Sequence, residues 1–270
     1  MPHILTDDNT NICYTEKGKG KTIVFIHGWA ANKASFAIPA HYLSKKFRVI
    51  IYDLRGHGQS DVPENGFTMK RCAEDLEQLM DKLDLEDVTL IAWSMGALVL
   101  FEYIKRFGCR RIDKTVIIDM TPKFISDEEW KLGIYDGKLT HEENLKIMSE
   151  LCCDWKGFVE RFTKDIASNL DERQIKAIIK GSMANEPYVL LSMWVAMANS
   201  DYREVISKIN VPTLILYGEK STLYPNKASE YLNSKIPNSR VEKFEGCNHL
   251  LVMEDTDKFI KVVENFVLDK

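Results

Sequence analysis

The chain predicts a doubly wound α/β domain: a mostly parallel sheet with helices on both faces and a helical segment inserted between two strands. Three observations carry this. Short β-branched runs end abruptly at polar or glycine residues. They are continuously apolar rather than alternating, as strands covered on both faces are. They also alternate with helical patterns, and one long stretch contains no strand pattern at all.

Taken in order, residues 11–16 read as an antiparallel strand leading into the sheet. The first parallel run is TIVFI at 22–26, ending in His27-Gly28. RVIIY at 48–52 ends in Asp53, and VTLIA at 88–92 ends in Trp93-Ser94. TVII at 115–118 ends in Asp119, TLILY at 213–217 in Gly218, and a shorter run covers 241–244. Between them, residues 69–83 place apolar side chains at 69, 72, 73, 76, 79, 80 and 83, close to a helical period. Residues 97–107 and 257–268 read as further helices. From 122 to 208 only helical patterns occur, at 142–152, 155–167, 172–183 and 187–199. A connection that long must carry structure or function. The expected organisation is therefore a core of 1–121 and 209–270 with a helical lid at 122–208, emerging where open α/β sheets bind ligands.

Composition narrows the function. With 45% hydrophobic and 28% charged residues in 270, a packed core is available and disorder is excluded. A net charge of -4 argues against a nucleic-acid partner. No apolar run approaches the ~18 residues of a membrane span, and the start of the chain, with Asp7, Asp8 and Asn9, does not read as a signal peptide. The six cysteines form no CxxC, and the adjacent Cys152 and Cys153 make a poor metal fork. They read as reduced thiols of a cytoplasmic protein, with no metal or cofactor implied.

Chemistry concentrates at Ala92-Trp93-Ser94-Met95-Gly96, between a buried strand and a helix. A serine in such a turn is held in a strained conformation that lifts its hydroxyl above the sheet. The positions two before and two after it must be small, because strand and helix pass closely there. The competing reading is a serine that only caps the following helix.

Four segments, in this order, resemble the α/β-hydrolase superfamily: Phe25-Ile26-His27-Gly28-Trp29, Tyr52 to Ser60 (YDLRGHGQS), the serine turn, and Gly246-Cys247-Asn248-His249. The HGW and WSMG pieces are most similar to small carboxylesterases of the pimeloyl-carrier-protein methyl esterase type. The resemblance implies Ser94 as nucleophile and His249 as base. An imidazole titrates near neutrality and can take the serine proton and return it to a leaving group. It further implies oxyanion donors from the backbone of Trp29 and Met95, with Trp29, Trp93 and Trp194 as candidate substrate contacts.

The acid is the departure. The resemblance places an aspartate three positions after Gly218, where this chain has Ser221. Some α/β hydrolases carry the acid at the strand end occupied here by Asp119; Glu219 is the second candidate, and a site without a carboxylate is the third. His27 and His57 belong to turn motifs and read as structural, as do Asp53 and Arg55, expected to hold a loop by ion pairing. Cys247, two residues from His249, is a weak alternative nucleophile because it has no strand–helix turn. The expected activity is hydrolysis of a carboxylic ester, thioester or lactone of a small acyl substrate through an acyl-enzyme. Carbon–carbon hydrolysis or perhydrolysis on the same triad, and a weakly catalytic small-molecule receptor, are the alternatives. Oligomeric state is not specified by the sequence.

Overall fold

A computed structural model describes residues 1–269. Eight strands form one sheet: β1 (His3–Leu5), β2 (Asn11–Lys17), β3 (Thr22–Ile26), β4 (Arg48–Tyr52), β5 (Val88–Trp93), β6 (Ile112–Ile118), β7 (Thr213–Gly218) and β8 (Ser239–Phe244). Their spatial order is β1-β2-β4-β3-β5-β6-β7-β8, with antiparallel pairing at β1–β2 and β2–β4 and parallel pairing elsewhere. The central strands are apolar at nearly every position because both faces are covered: all of β3 and β5 is buried.

The core helices are α1 (Ala37–Leu43), α2 (Met69–Lys82) and α3 (Met95–Phe107). Four more, α4 (His141–Cys153), α5 (Trp155–Ile166), α6 (Glu172–Ser182) and α7 (Pro187–Ala198), lie between β6 and β7. The chain closes with α8 (Asn226–Lys235), the one-turn α9 (Leu251–Glu254) and α10 (Thr256–Leu268). α2 packs on α3 and α1 on α10, giving the two helical layers of a doubly wound sheet.

The four helices between β6 and β7 start where their caps dictate. Thr140 accepts from Glu143 N, Asp154 from Gly157 N, and Asp171 and Gln174 form a reciprocal capping box. Pro187 sits at the first turn of α7, where its missing N–H costs nothing. α7 turns Leu190, Met193, Trp194 and Met197 inward. Trp194 packs edge-on against Trp29, Phe124 and Phe158, so one aromatic cluster joins the helical segment to the core.

Among the elements longer than four residues, two escape the periodic pattern. α1 contains Pro39, and α8 (NKASEYLNSK) has too few apolar residues to mark a face. β6 also starts three residues early, at Ile112. The intervening Lys114 hides as a polar residue in the pattern but is buried by donating to the Phe266 carbonyl at 2.8 Å, at the end of α10.

Candidate active site

The site lies at the carboxyl ends of β5, β6 and β8. Ser94 follows β5 directly with φ 54° and ψ −124°, and α3 begins at the next residue. A non-glycine residue at positive φ is strained, and strain of this kind persists where neighbours over-determine it. Here the neighbours are visible. A Cβ on Gly96 would come within 2.3 Å of the Ile26 carbonyl oxygen, and one on Gly28 within 3.1 Å of the Ser94 Cβ. The strand ends therefore press on the turn, as the small residues around Ser94 predicted. The Ser94 side chain makes no capping hydrogen bond, so it is not spent as a helix cap.

Asp119 follows β6 with φ 43°. β6 neighbours β5, and Ser94 N donates to the Ile118 carbonyl at 3.0 Å, one residue before Asp119. The serine and the aspartate thus stand on adjacent strand ends. His249 lies beyond β8, and its Nδ1 is 2.6 Å from Asp119 Oδ2, with both side chains buried. An ionised carboxylate only accepts, so the ring proton sits on Nδ1 and Nε2 is left as the acceptor nitrogen. Asp119 Oδ2 also accepts from Ser221 Oγ at 2.7 Å. Ser221 occupies the position where the resemblance placed an aspartate; here it holds the neighbouring carboxylate instead.

Glu219 does not approach His249. Its two oxygens take Lys243 Nζ and Gly246 N–H, each at 3.0 Å, in an exposed position. These contacts, the Gly246 N–H first, hold its carboxyl below the usual range. Cys247 is buried, and burial pushes its thiol up to about 11, which leaves it protonated and weakly nucleophilic at neutral pH.

The His249 ring is held by its surroundings. The Trp93 indole lies against it, ring centroids 5.4 Å apart, and Trp93 Nε1 donates to the His249 carbonyl at 3.2 Å. Tyr224 covers it at 5.8 Å between centroids. Among the described residues, the ring's hydrogen bond runs to Asp119 and none runs to Ser94 Oγ. Asn248, next in the chain, ties three segments together. Its Oδ1 accepts from His249 N at 2.7 Å and Thr222 N at 2.9 Å, and its Nδ2 donates to the Asp165 carbonyl and to Ser168 Oγ, both at 3.0 Å. The histidine loop is thereby fastened to the end of α5.

Met95 N–H is at the first position of α3, where backbone donors have no intrahelical partner. Trp29 lies in the loop after β3. Its indole Nε1 donates to the Leu190 carbonyl at 2.8 Å, and its ring meets Phe158, Phe162 and Trp194 edge-on. A cavity of about 240 Å³ opens beside the site, with Trp29, Trp93, Phe162, Ile178, Leu250 and Met253 in its wall. No charged side chain lines it. It adjoins the site through the chain neighbours of Gly28, Ser94 and His249, although Ser94 and His249 are not themselves in the wall. Trp194 is not in the wall either. It stands behind Trp29, almost fully buried, with Nε1 donating to Asn144 Oδ1 at 2.8 Å.

The remaining motif residues hold loops. His27 Nδ1 meets the Gly28 carbonyl at 2.8 Å and its Nε2 accepts from Leu54 N at 3.0 Å. His57 lies beside it with the rings tilted, and burial holds it neutral by lowering its pKa to about 3. Asp53 and Arg55 do not pair with each other. Asp53 takes Lys33 Nζ at 2.5 Å, and Arg55 forks onto Asp75 at 2.6 and 2.8 Å. Among the described residues no three His, Cys, Asp or Glu side chains converge as metal ligands, and no helix is long and apolar enough to cross a membrane.

Tyr224 and Asn248 were not foreseen as site residues. The only signal for Tyr224 is an aromatic residue just before Pro225, in the loop where the acid was sought.

The chain belongs to the alpha/beta hydrolase fold family, whose model matches residues 21–136 and 155–256. Among curated proteins it is 29% identical to a non-heme chloroperoxidase, CPO-A1, of Kitasatospora aureofaciens, covering 96% of this chain and 95% of that one. It is 28% identical to the pimeloyl-[acyl-carrier protein] methyl ester esterase of Vibrio campbellii, over 96% of this chain and 99% of the relative. Among solved structures, an esterase from Exiguobacterium antarcticum superposes with a TM-score of 0.93 at 26% identity, covering 99% of both chains. The family and these esterase relatives make the chain a hydrolase.

Proposed function

We propose that the protein is a serine hydrolase that cleaves a neutral carboxylic ester, thioester or lactone through an acyl-enzyme. The observation that carries this reading is the 2.6 Å contact between Asp119 and His249 beside a serine held at positive φ. Ser94 Oγ attacks the acyl carbon as His249 Nε2 takes its proton. Asp119 keeps the ring oriented and stabilises the imidazolium that forms. The N–H groups of Trp29 and Met95 receive the developing oxyanion, reinforced by the positive end of α3. His249 then returns the proton to the leaving oxygen, and water repeats the sequence in reverse to free the acid.

The cavity supports one substrate class. Its wall is mainly aromatic and aliphatic, with the neutral Asn32, Ser35, Thr163 and Ser182 and no charged group, so an ionised substituent placed there would be desolvated without a counter-charge. Neutral aliphatic or aromatic acyl groups fit this chemistry. A second reading, perhydrolysis, draws support from the relative named as a non-heme chloroperoxidase. Hydrogen peroxide attacking the same acyl-enzyme in place of water would release a peroxyacid.

The test is active-site labelling. A fluorophosphonate should label Ser94 in the wild type and nothing in Ser94→Ala, which should lose all turnover while folding normally. Labelling that moves to Cys247 or persists elsewhere would sink the assignment. In a p-nitrophenyl ester series, neutral acyl groups should exceed dicarboxylic half-esters of equal length by at least about tenfold in kcat/KM, the cost of desolvating one unpaired charge. Equal rates would remove the cavity from the acyl path.

A further inference from the structure

His249 stands between two residues that answer to the cavity. Leu250, after it in the chain, lies in the cavity wall, with Met253 one turn further on. Asn248, before it, is bonded to the end of α5, the helix that gives the wall Val159, Phe162, Thr163 and Ile166. The buried Asn248 amide uses its two ends in opposite directions. Oδ1 takes the N–H groups of His249 at 2.7 Å and Thr222 at 2.9 Å. Nδ2 donates to the Asp165 carbonyl and to Ser168 Oγ, each at 3.0 Å. Asp165 lies in the last turn of α5, where carbonyls have no intrahelical partner, so the same side chain caps that helix. A second tie runs beside the first. Asn169, three residues past α5, donates from Nδ2 to the Gly246 carbonyl and to Glu254 Oε2, both at 2.9 Å. That Glu254 oxygen also accepts from Asn248 N at 2.7 Å. Phe162 and Ile166, in the cavity wall, are within one turn of Asp165.

Resting on the serine-hydrolase reading, we infer that Asn248 is a positioning residue, through which an acyl group packed against α5 sets where His249 stands relative to Ser94. Asp119 fixes the Nδ1 side of the ring, and among the described residues no hydrogen bond joins the ring to Ser94 Oγ. The approach of Nε2 to Oγ is then left to the backbone on either side of the histidine. An acyl chain that fills the cavity bears on Phe162 and Ile166, which lead through the α5 end to Asn248, and bears directly on Leu250. One substrate group therefore loads both neighbours of the base. Contacts remote from the reacting carbon are realised as alignment of the catalytic group, which raises kcat rather than lowering KM. A short acyl group leaves the α5 wall unfilled and does not draw on the tie.

The inference predicts a dependence on chain length that loss of packing would not produce. Turnover of p-nitrophenyl acetate and p-nitrophenyl hexanoate is measured for the wild type, for Ser168→Ala/Asn169→Ala and for Asn248→Ala. The double variant cuts ties on the α5 side and leaves every residue of the histidine loop in place. His249 serves acylation and deacylation alike, so kcat reads its alignment whichever step is slower. In the wild type, kcat should be several-fold higher for hexanoate than for acetate. In Ser168→Ala/Asn169→Ala, hexanoate kcat should fall roughly tenfold towards that of acetate, the scale of one or two hydrogen bonds. Its KM should stay within about threefold, and acetate kcat within about twofold. Asn248→Ala should lower hexanoate kcat at least as far and acetate kcat as well, because His249 N loses its acceptor; if that variant does not fold, the double variant decides alone. Equal losses on both esters, a hexanoate loss carried by KM, or no loss in the double variant would overturn the coupling, as would a wild-type kcat indifferent to chain length. Turnover that survives Ser94→Ala, or a wild type that cleaves neither ester, would instead overturn the serine reading beneath it.

Discussion

The ends of β6 and β7 are neighbours in the sheet, and they divide between them work that one loop was expected to do. The β6 end supplies the carboxylate, Asp119, at positive φ and 2.6 Å from His249. The β7 end supplies no acid to the histidine. Its Glu219 turns outward to Lys243 and Gly246, and its Ser221 donates to Asp119 at 2.7 Å. On the proposed reading, the requirement is a carboxylate at the outer nitrogen of the imidazole, not a particular strand. Because β6 lies between β5 and β7, an acid placed there still faces a histidine arriving from β8. The β7 loop keeps its approach to the same point, now as a hydroxyl that supports the acid.

The largest break in this comparison is Asp119→Asn. The side chain keeps its shape and loses its charge, so His249 loses both orientation and a counter-charge. A drop in kcat of about 10² to 10⁴ is expected, with unfolding midpoints close to wild type. Activity within a few-fold of wild type would mean that Asp119 is not the acid.

An intermediate effect should come from putting the acid back on β7. In the Asp119→Asn background, Ser221→Asp offers a carboxylate from the loop that already reaches this point, and about tenfold or more of the lost kcat should return. The same Ser221→Asp change in the wild type crowds two carboxylates onto one ring nitrogen and should lower activity. Rescue absent in the first and gain seen in the second would reverse the division of labour drawn here.

The smallest effect belongs to Glu219→Gln. Its partners are on the exposed side of β8, so kcat/KM should change by less than about threefold. A loss as large as that of Asp119→Asn would shift the acid to the β7 loop.

Much of this was readable from residue patterns, for definite reasons. β3, β4, β5 and β7 are short apolar runs with sharp polar ends, and buried parallel strands leave just that trace. Ser94 and Asp119 each follow a strand directly, so finding the strand end finds the residue, and His249 lies five residues past the end of β8. The pattern failed where contact, not periodicity, decides. α8 exposes most of its face, and β6 begins with polar residues whose burial depends on the end of α10. Trp194 was expected against substrate. An aromatic residue on an inward helical face can meet either a ligand or another side chain, and here Trp29 stands in front of it. Tyr224 was missed because a tyrosine in a loop carries no periodic signal, and its meaning comes only from being folded over His249.

Ser94 and Asp119 are both non-glycine residues at positive φ, at 54° and 43°, on the ends of adjacent buried strands. Each such conformation costs on the order of 1–3 kcal/mol, against a total folding free energy of roughly 5–15 kcal/mol for a domain. The two residues at the centre of the proposed site are therefore also among the eight non-glycine positions at positive φ in the described backbone. On the proposed reading, glycine at either position would relieve that strain while removing the reacting or the orienting side chain, so thermostability and turnover should move in opposite directions there.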